Sequence, residues 1–220
     1  MKRPNFLFIM TDTQATNMVG CYSGKPLNTQ NIDSLAAEGI RFNSAYTCSP
    51  VCTPARAGLF TGIYANQSGP WTNNVAPGKN ISTMGRYFKD AGYHTCYIGK
   101  WHLDGHDYFG TGECPPVEDL QANHIDETFT WAHRISNRAV DFLQQPARAE
   151  EPFLMVVSYD EPHHPFTCPV EYLEKYADFY YDLGEKAQDD LANKPEHHRL
   201  WAQAMPSPVG DDGLYHHPLY

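Results

Sequence analysis

The 220-residue sequence predicts an α/β protein with a doubly wound, mostly parallel central sheet flanked by helices. Three observations lead to that fold. Two continuous apolar runs, Asn5 to Met10 and Phe153 to Val157, have the character of strands buried on both faces. Helical spacing alternates with strand-like runs through most of the chain. Polar, chemistry-bearing residues follow the strand-like runs directly, as expected where a site forms at the carboxyl ends of parallel strands.

Taken in order, Asn5 to Met10 is the first strand, halted by Thr11-Asp12-Thr13. Asn28 to Glu38 is a short helix with Ile32, Leu35 and Ala36 inward and Gly39 at the C′ position. Ile40 to Tyr46 is expected to return as a strand. Pro54 to Phe60 forms a short helix beginning just after Cys52. Ser82 is the expected cap of a helix reaching about Ala91 and closed by Gly92. Tyr93 to Ile98 is the next strand. His124 to Gln145 carries apolar residues mostly three and four apart, so it is the longest expected helix, ended by Pro146. Phe153 to Val157 then empties into Tyr159-Asp160-Glu161-Pro162-His163-His164-Pro165. From Glu171 to about Ala204 the pattern is helical but polar, and Pro206 to Tyr220 has the composition of a loop.

The formal charge of −10 comes with no Lys/Arg-rich stripe, which excludes nucleic acid as a partner. No run approaches the roughly 20 apolar residues of a membrane span, so no membrane partner is expected. The apolar stretch from Phe6 to Met10 is too short for a signal-peptide core and lacks a cleavage site, which points to a cytoplasmic protein. Six cysteines, at 21, 48, 52, 96, 114 and 168, show neither disulfide-framework nor zinc-site spacing and are expected to be reduced. An enzyme of anionic substrates with this net charge must concentrate positive charge locally.

Pro50-Val51-Cys52-Thr53-Pro54-Ala55-Arg56-Ala57-Gly58-Leu59-Phe60-Thr61-Gly62 is the most informative stretch. Cys52 falls at or just before a helix N-terminus, with Pro54 suited to the first turn. The free amide groups and the helix dipole there favour negative charge. Arg56 lies one turn further on, so its guanidinium returns towards the same end. The pattern describes an activated nucleophile or an anion pocket, against the plainer alternative of a buried cysteine beside a surface arginine. A second stretch, Gly92-Tyr93-His94-Thr95-Cys96-Tyr97-Ile98-Gly99-Lys100-Trp101-His102, places a cation and an imidazole on the loop after a strand.

Cys52-x-Pro54-x-Arg56 with Leu59-Phe60-Thr61-Gly62 is similar to the first signature of the formylglycine-dependent sulfatases, and the stretch from Gly92 to His102 resembles the second. Phe8-Ile9-Met10-Thr11-Asp12 resembles that family's opening strand, and Pro162-His163-His164-Pro165-Phe166 its P-H-x-P-F element. The resemblance runs from residue 5 to about 170. It implies an alkaline-phosphatase-like fold and a bacterial, cytoplasmic-type member. Residues 1–220 would be the N-terminal part of the catalytic domain, because the family's later Asp-His-Gly element and second lysine do not follow. The Cys114-Pro115-Pro116-Val117 passage is expected to mark missing loop residues.

The resemblance also implies the chemistry. A maturation enzyme oxidises Cys52 to formylglycine (3-oxoalanine), whose hydrate attacks sulfur and passes through a sulfated-enzyme intermediate. Asp12 and residue 52 bind a divalent cation, calcium being the expected one. Thr13 stands where many members carry a second aspartate, so Thr13 or Gln14 would offer a neutral oxygen. Arg56 and Lys100 hold the sulfate oxygens, His102 is the candidate base, and His163 the candidate acid at the leaving oxygen. The substrate would be a small-molecule or saccharide sulfate ester. The competing readings are a phosphonate or phosphate ester hydrolase on the same scaffold, a non-catalytic anion- or metal-binding protein, and a cysteine hydrolase pairing Cys52 with His102.

Overall fold

The computed structural model describes residues 3–103, 127–163, 168–178 and 189–204. The chain divides into two compact units, Met1–Pro169 and Val170–Tyr220. In the first, three strands, β1 (Phe6–Met10), β2 (His94–Gly99) and β3 (Phe153–Ser158), form a parallel sheet in the order β1-β3-β2. Its helices are α1 (Gly20–Ser23), α2 (Gln30–Glu38), α3 (Cys52–Thr61), α4 (Ala65–Ser68), α5 (Met84–Asp90) and α6 (Trp131–Leu143). The second unit contains α7 (Val170–Lys175) and α8 (Glu196–Ala204), two short helices within the polar helical stretch expected there.

β3 is the core of the sheet, and all six of its residues are buried. Because strand side chains alternate, Phe153, Met155 and Val157 face α6, where Ile135, Ala139 and Phe142 receive them. Val156 faces the other way, into a cluster with Ala57 and Phe60 of α3 and with Leu103. Helices therefore pack on both faces, which is the doubly wound arrangement expected from the sequence.

The three strands match the expected segments to within about a residue at each end. α3 begins earlier than expected and includes Cys52 as its first residue. α6 begins at Trp131 because the Thr130 hydroxyl accepts the His133 N–H at 3.2 Å and caps the helix there. A short 3-10 turn, Glu127–Phe129, precedes it, and His124 to Asp126 lie outside the described residues. α5 starts at Met84 after Thr83, with no side-chain cap, so Ser82 does not act as expected.

Ile40 to Tyr46 is not a strand. Ile40, Phe42 and Tyr46 are 82%, 66% and 92% exposed, and no ladder partner runs beside them among the described residues. Alternating β-formers describe a side-chain period; a strand also needs neighbouring backbone to bond with. The expectations for Cys114 to Val117 and for Pro206 to Tyr220 lie outside the described residues. Among those described, no disulfide links the cysteines, and no helix is long and apolar enough to cross a membrane.

Candidate active site

The sheet register sets the site. Met10, Ser158 and Gly99 are aligned partners at the carboxyl ends of the three strands. The residues that follow, Asp12, Asp160 and Lys100, consequently emerge side by side. Gly99 turns the chain with φ of 101°, and a Cβ there would lie 1.9 Å from the Ser158 carbonyl oxygen. Only glycine fits that approach. The same carbonyl accepts the Lys100 N–H at 2.9 Å, which fixes where the lysine leaves the sheet.

Cys52 opens α3. Val51 has no side-chain oxygen to cap this helix, and Asn73 substitutes from a distance, its Oδ1 accepting the Thr53 N–H at 3.0 Å. Pro54 sits in the first turn, where a missing N–H costs nothing. The helix closes on Gly62 in the left-handed region, which accounts for the Thr61-Gly62 pair in the sequence.

Arg56, one turn below Cys52, is buried and joins three segments. Its Nη1 donates to the Lys100 carbonyl at 2.9 Å, to Ser158 Oγ at 3.0 Å and to Tyr97 Oη at 3.4 Å. Its Nη2 lies 3.3 Å from Asp12 Oδ2. The Lys100 ammonium, its side chain only 3% exposed, pairs with Asp12 Oδ2 at 2.7 Å and with Asp160 Oδ1 at 2.6 Å. Two cations thus meet two carboxylates. These four side chains balance in charge, so the local positive excess expected from the sequence would come from the expected divalent cation.

Burial would raise the Asp12 pKa. The hydrogen-bonded Lys100 ammonium, then Arg56 and His163, outweigh that and hold it below the ordinary carboxylate value. For Cys52 the balance goes the other way. Burial first, and the Asp12 charge second, push the thiol above its ordinary pKa against the pull of Lys100 and Arg56. For the unmodified thiol, burial and Asp12 therefore oppose the preference for negative charge expected at this helix N-terminus.

Ligand atoms of Asp12, Cys52 and His163 lie within 4.8 Å of one another, so these three can converge on one metal ion. A carboxylate, a sulfur and an imidazole are not the all-oxygen set that calcium favours. Oxidation of Cys52 would replace the sulfur with oxygen and bring the set closer to a hard cation. Thr13 donates its hydroxyl to Asp12 Oδ1 at 3.1 Å and so stands beside this point, whereas Gln14 Oε1 is engaged by the Thr11 hydroxyl at 2.9 Å.

Five of the six expected site residues, Asp12, Cys52, Arg56, Lys100 and His163, are therefore brought together. His102 follows Lys100 by two residues, half-buried, with φ of 54°. Trp101 packs into the core with its ring 4.9 Å from that of Tyr97, while Trp71 is exposed. Ser158, Tyr97 and Asp160 also reach this point and were not among the expected site residues. Asp160 alone left a usable signal, a carboxylate just past a strand end and three residues before His163. A cavity of about 580 Å³ lies along α3, lined among others by Met10, Tyr46, Cys48, Arg56 and Leu59. It borders the arginine rather than Cys52.

Comparison with known proteins identifies the family. The sulfatase family model matches residues 4–207. The chain is 86% identical to the uncharacterized sulfatase YidJ of Escherichia coli (strain K12), covering all of this chain and half of that protein. That match is 251 positions long, so the relative carries residues with no counterpart here. The N-acetylglucosamine-6-O-sulfatase of Bacteroides thetaiotaomicron is 33% identical over 74% of this chain and 31% of its own length. Among solved structures, BT4656 in complex with its substrate D-glucosamine-2-N,6-O-disulfate superposes with a TM-score of 0.72 at 25% identity, over 90% of this chain and 42% of that one. The chain thus spans half or less of the length of these relatives. With both signatures folded around one point and the family model covering most of its length, the chain belongs to the sulfatase family.

Proposed function

We propose that the protein to which this chain contributes hydrolyses a sulfate ester, with residue 52 supplying the nucleophilic oxygen after oxidation of Cys52 to formylglycine. One observation carries the reading: Cys52 opens a helix whose Arg56 reaches Lys100 and Asp12, so a nucleophile, two cations and a ligand-capable carboxylate share one point. The raised pKa of the Cys52 thiol weighs against a cysteine hydrolase, which needs a ready thiolate. It is compatible with a cysteine that acts only after modification, and hence with a formylglycine-generating enzyme as partner.

Asp12 and residue 52 would hold a divalent cation, calcium by family resemblance, with His163 close by to serve as the acid. Bound there, the cation would offset negative charge on the sulfuryl oxygens and favour a deprotonated oxygen at residue 52. Arg56 and Lys100 orient the sulfate group, and their mutual contacts fix both before substrate arrives. His102 takes the proton from the second oxygen at residue 52 and His163 gives one to the departing alcohol. The sugar substrates named for two relatives support a saccharide sulfate as substrate class. In matured protein containing the whole catalytic domain, Cys52→Ala should lower aryl-sulfate turnover by about 10³-fold or more. Turnover close to wild type in that variant would end this reading.

A further inference from the structure

We infer that Asp160 is a positioning residue for Lys100, setting both the place of its ammonium and the net charge of the anion site. This rests on the sulfatase reading of the site. Lys100 is buried between two carboxylates, Asp12 at 2.7 Å and Asp160 at 2.6 Å. These have different obligations. Asp12 is also shared with Arg56 at 3.3 Å and belongs to the group of ligand atoms that can converge on a metal ion. Asp160 is not part of that group and faces the lysine. When Asp12 commits its charge to a cation, Asp160 remains as the counter-charge that keeps the Lys100 ammonium from moving.

The loop carrying Asp160 is built to hold a position. Its neighbours on both sides are fastened to α6: the Tyr159 and Ser136 hydroxyls are 2.8 Å apart, and Glu161 Oε1 accepts the Ala132 N–H at 2.9 Å. The Tyr159 N–H donates to the Met10 carbonyl at 2.8 Å, tying the same loop to the end of β1. These bonds anchor the backbone on both sides of Asp160 and so give its carboxylate a defined place from which to hold Lys100. In charge terms, Asp12 and Asp160 cancel Arg56 and Lys100. Removing one negative charge leaves a site that holds anions more tightly but aims its lysine less well.

The test compares wild type with Asp160→Asn, which keeps the size and an oxygen acceptor, and Asp160→Glu, which keeps the charge. In matured protein containing the whole catalytic domain, Asp160→Asn should lower kcat for an aryl sulfate by about tenfold or more while inorganic sulfate inhibits at several-fold lower concentration. Asp160→Glu should return the sulfate inhibition towards wild type. In parallel, calorimetric titration of inorganic sulfate into the unmatured Cys52 form reads the same charge without turnover, and tighter binding by Asp160→Asn is the expected result. Equal or absent sulfate binding in wild type and Asp160→Asn overturns the inference, as does a loss of kcat with sulfate inhibition unchanged. If wild type turns over no sulfate ester yet Asp160→Asn binds sulfate more tightly, the functional reading falls and the role of Asp160 stands.

Discussion

β1 and β3 are neighbours in one sheet, run parallel and have the same apolar character, yet their surroundings differ. β3 is buried along its whole length, between α6 on one face and α3 on the other. On β1, Phe6, Leu7 and Ile9 are 41%, 48% and 55% exposed. Among the described residues β1 pairs with β3 alone, whereas β3 pairs on both sides. An apolar run therefore reports that a strand suits a buried sheet, and says nothing of which elements cover it. The site nevertheless draws on both strands, since Asp12 follows β1 and Asp160 follows β3.

The contrast can be broken most forcefully at the seam between β3 and β2. Gly99→Ala places a methyl group 1.9 Å from the Ser158 carbonyl at a backbone angle that alanine resists. It should cost at least about 4 kcal/mol, seen as loss of the cooperative unfolding transition in denaturant. Next comes a direct comparison of the two strands. Met155→Ala, at a fully buried position, should lower stability by about 3 kcal/mol, while Ile9→Ala should cost less than about 1 kcal/mol in this chain. Urea midpoints for both variants check the pair. If Ile9→Ala becomes nearly as costly in a protein of the relatives' full length, the β1 face is covered there and the contrast belongs to these 220 residues.

The smallest effect lies in the outlying helices. Asp33 accepts the Cys21 N–H at 2.7 Å and the Thr29 hydroxyl at 3.0 Å, and the first of these chiefly holds its pKa below the ordinary value. A depressed carboxylate pKa means that its contribution is complete above the unfolded value of about 4 and disappears as pH falls through the folded one. Asp33→Asn should therefore lower stability slightly at neutral pH, leave it nearly unchanged at low pH, and so flatten a small part of the acid limb. Thermal melts across that range read it; an unaltered acid limb would show that the hydrogen bonds do not favour the ionised form.

Much of the fold was legible because its strands are uninterrupted apolar runs ended by polar loops. The convergence of the candidate site residues was legible for the same reason: Asp12, Lys100 and His163 each follow such a run, and Cys52 and Arg56 are one helical turn apart. Three features were not legible. The stretch Ile40 to Tyr46 alternates like a strand but has no strand beside it among the described residues, which composition cannot reveal. The pairing of Lys100 with Asp160 depends on Gly99 and Ser158 being in register, a relation between segments almost 60 residues apart. The upward push on the Cys52 thiol comes from burial and from Asp12, 40 positions away in sequence, against the pull of Lys100 and Arg56.

Arg56 has a consequence for how the protein can be studied. Its guanidinium joins the start of α3 to the ends of β2 and β3 and to the loop after β1, with almost none of its surface left to solvent. Replacing it would leave Asp12 and Ser158 facing each other without their shared donor, so folding and chemistry would fail together. A variant made there could not separate a role in the proposed chemistry from damage to the fold. Cys52 offers the cleaner control, because its half-buried side chain ends in a single sulfur whose removal leaves that junction in place.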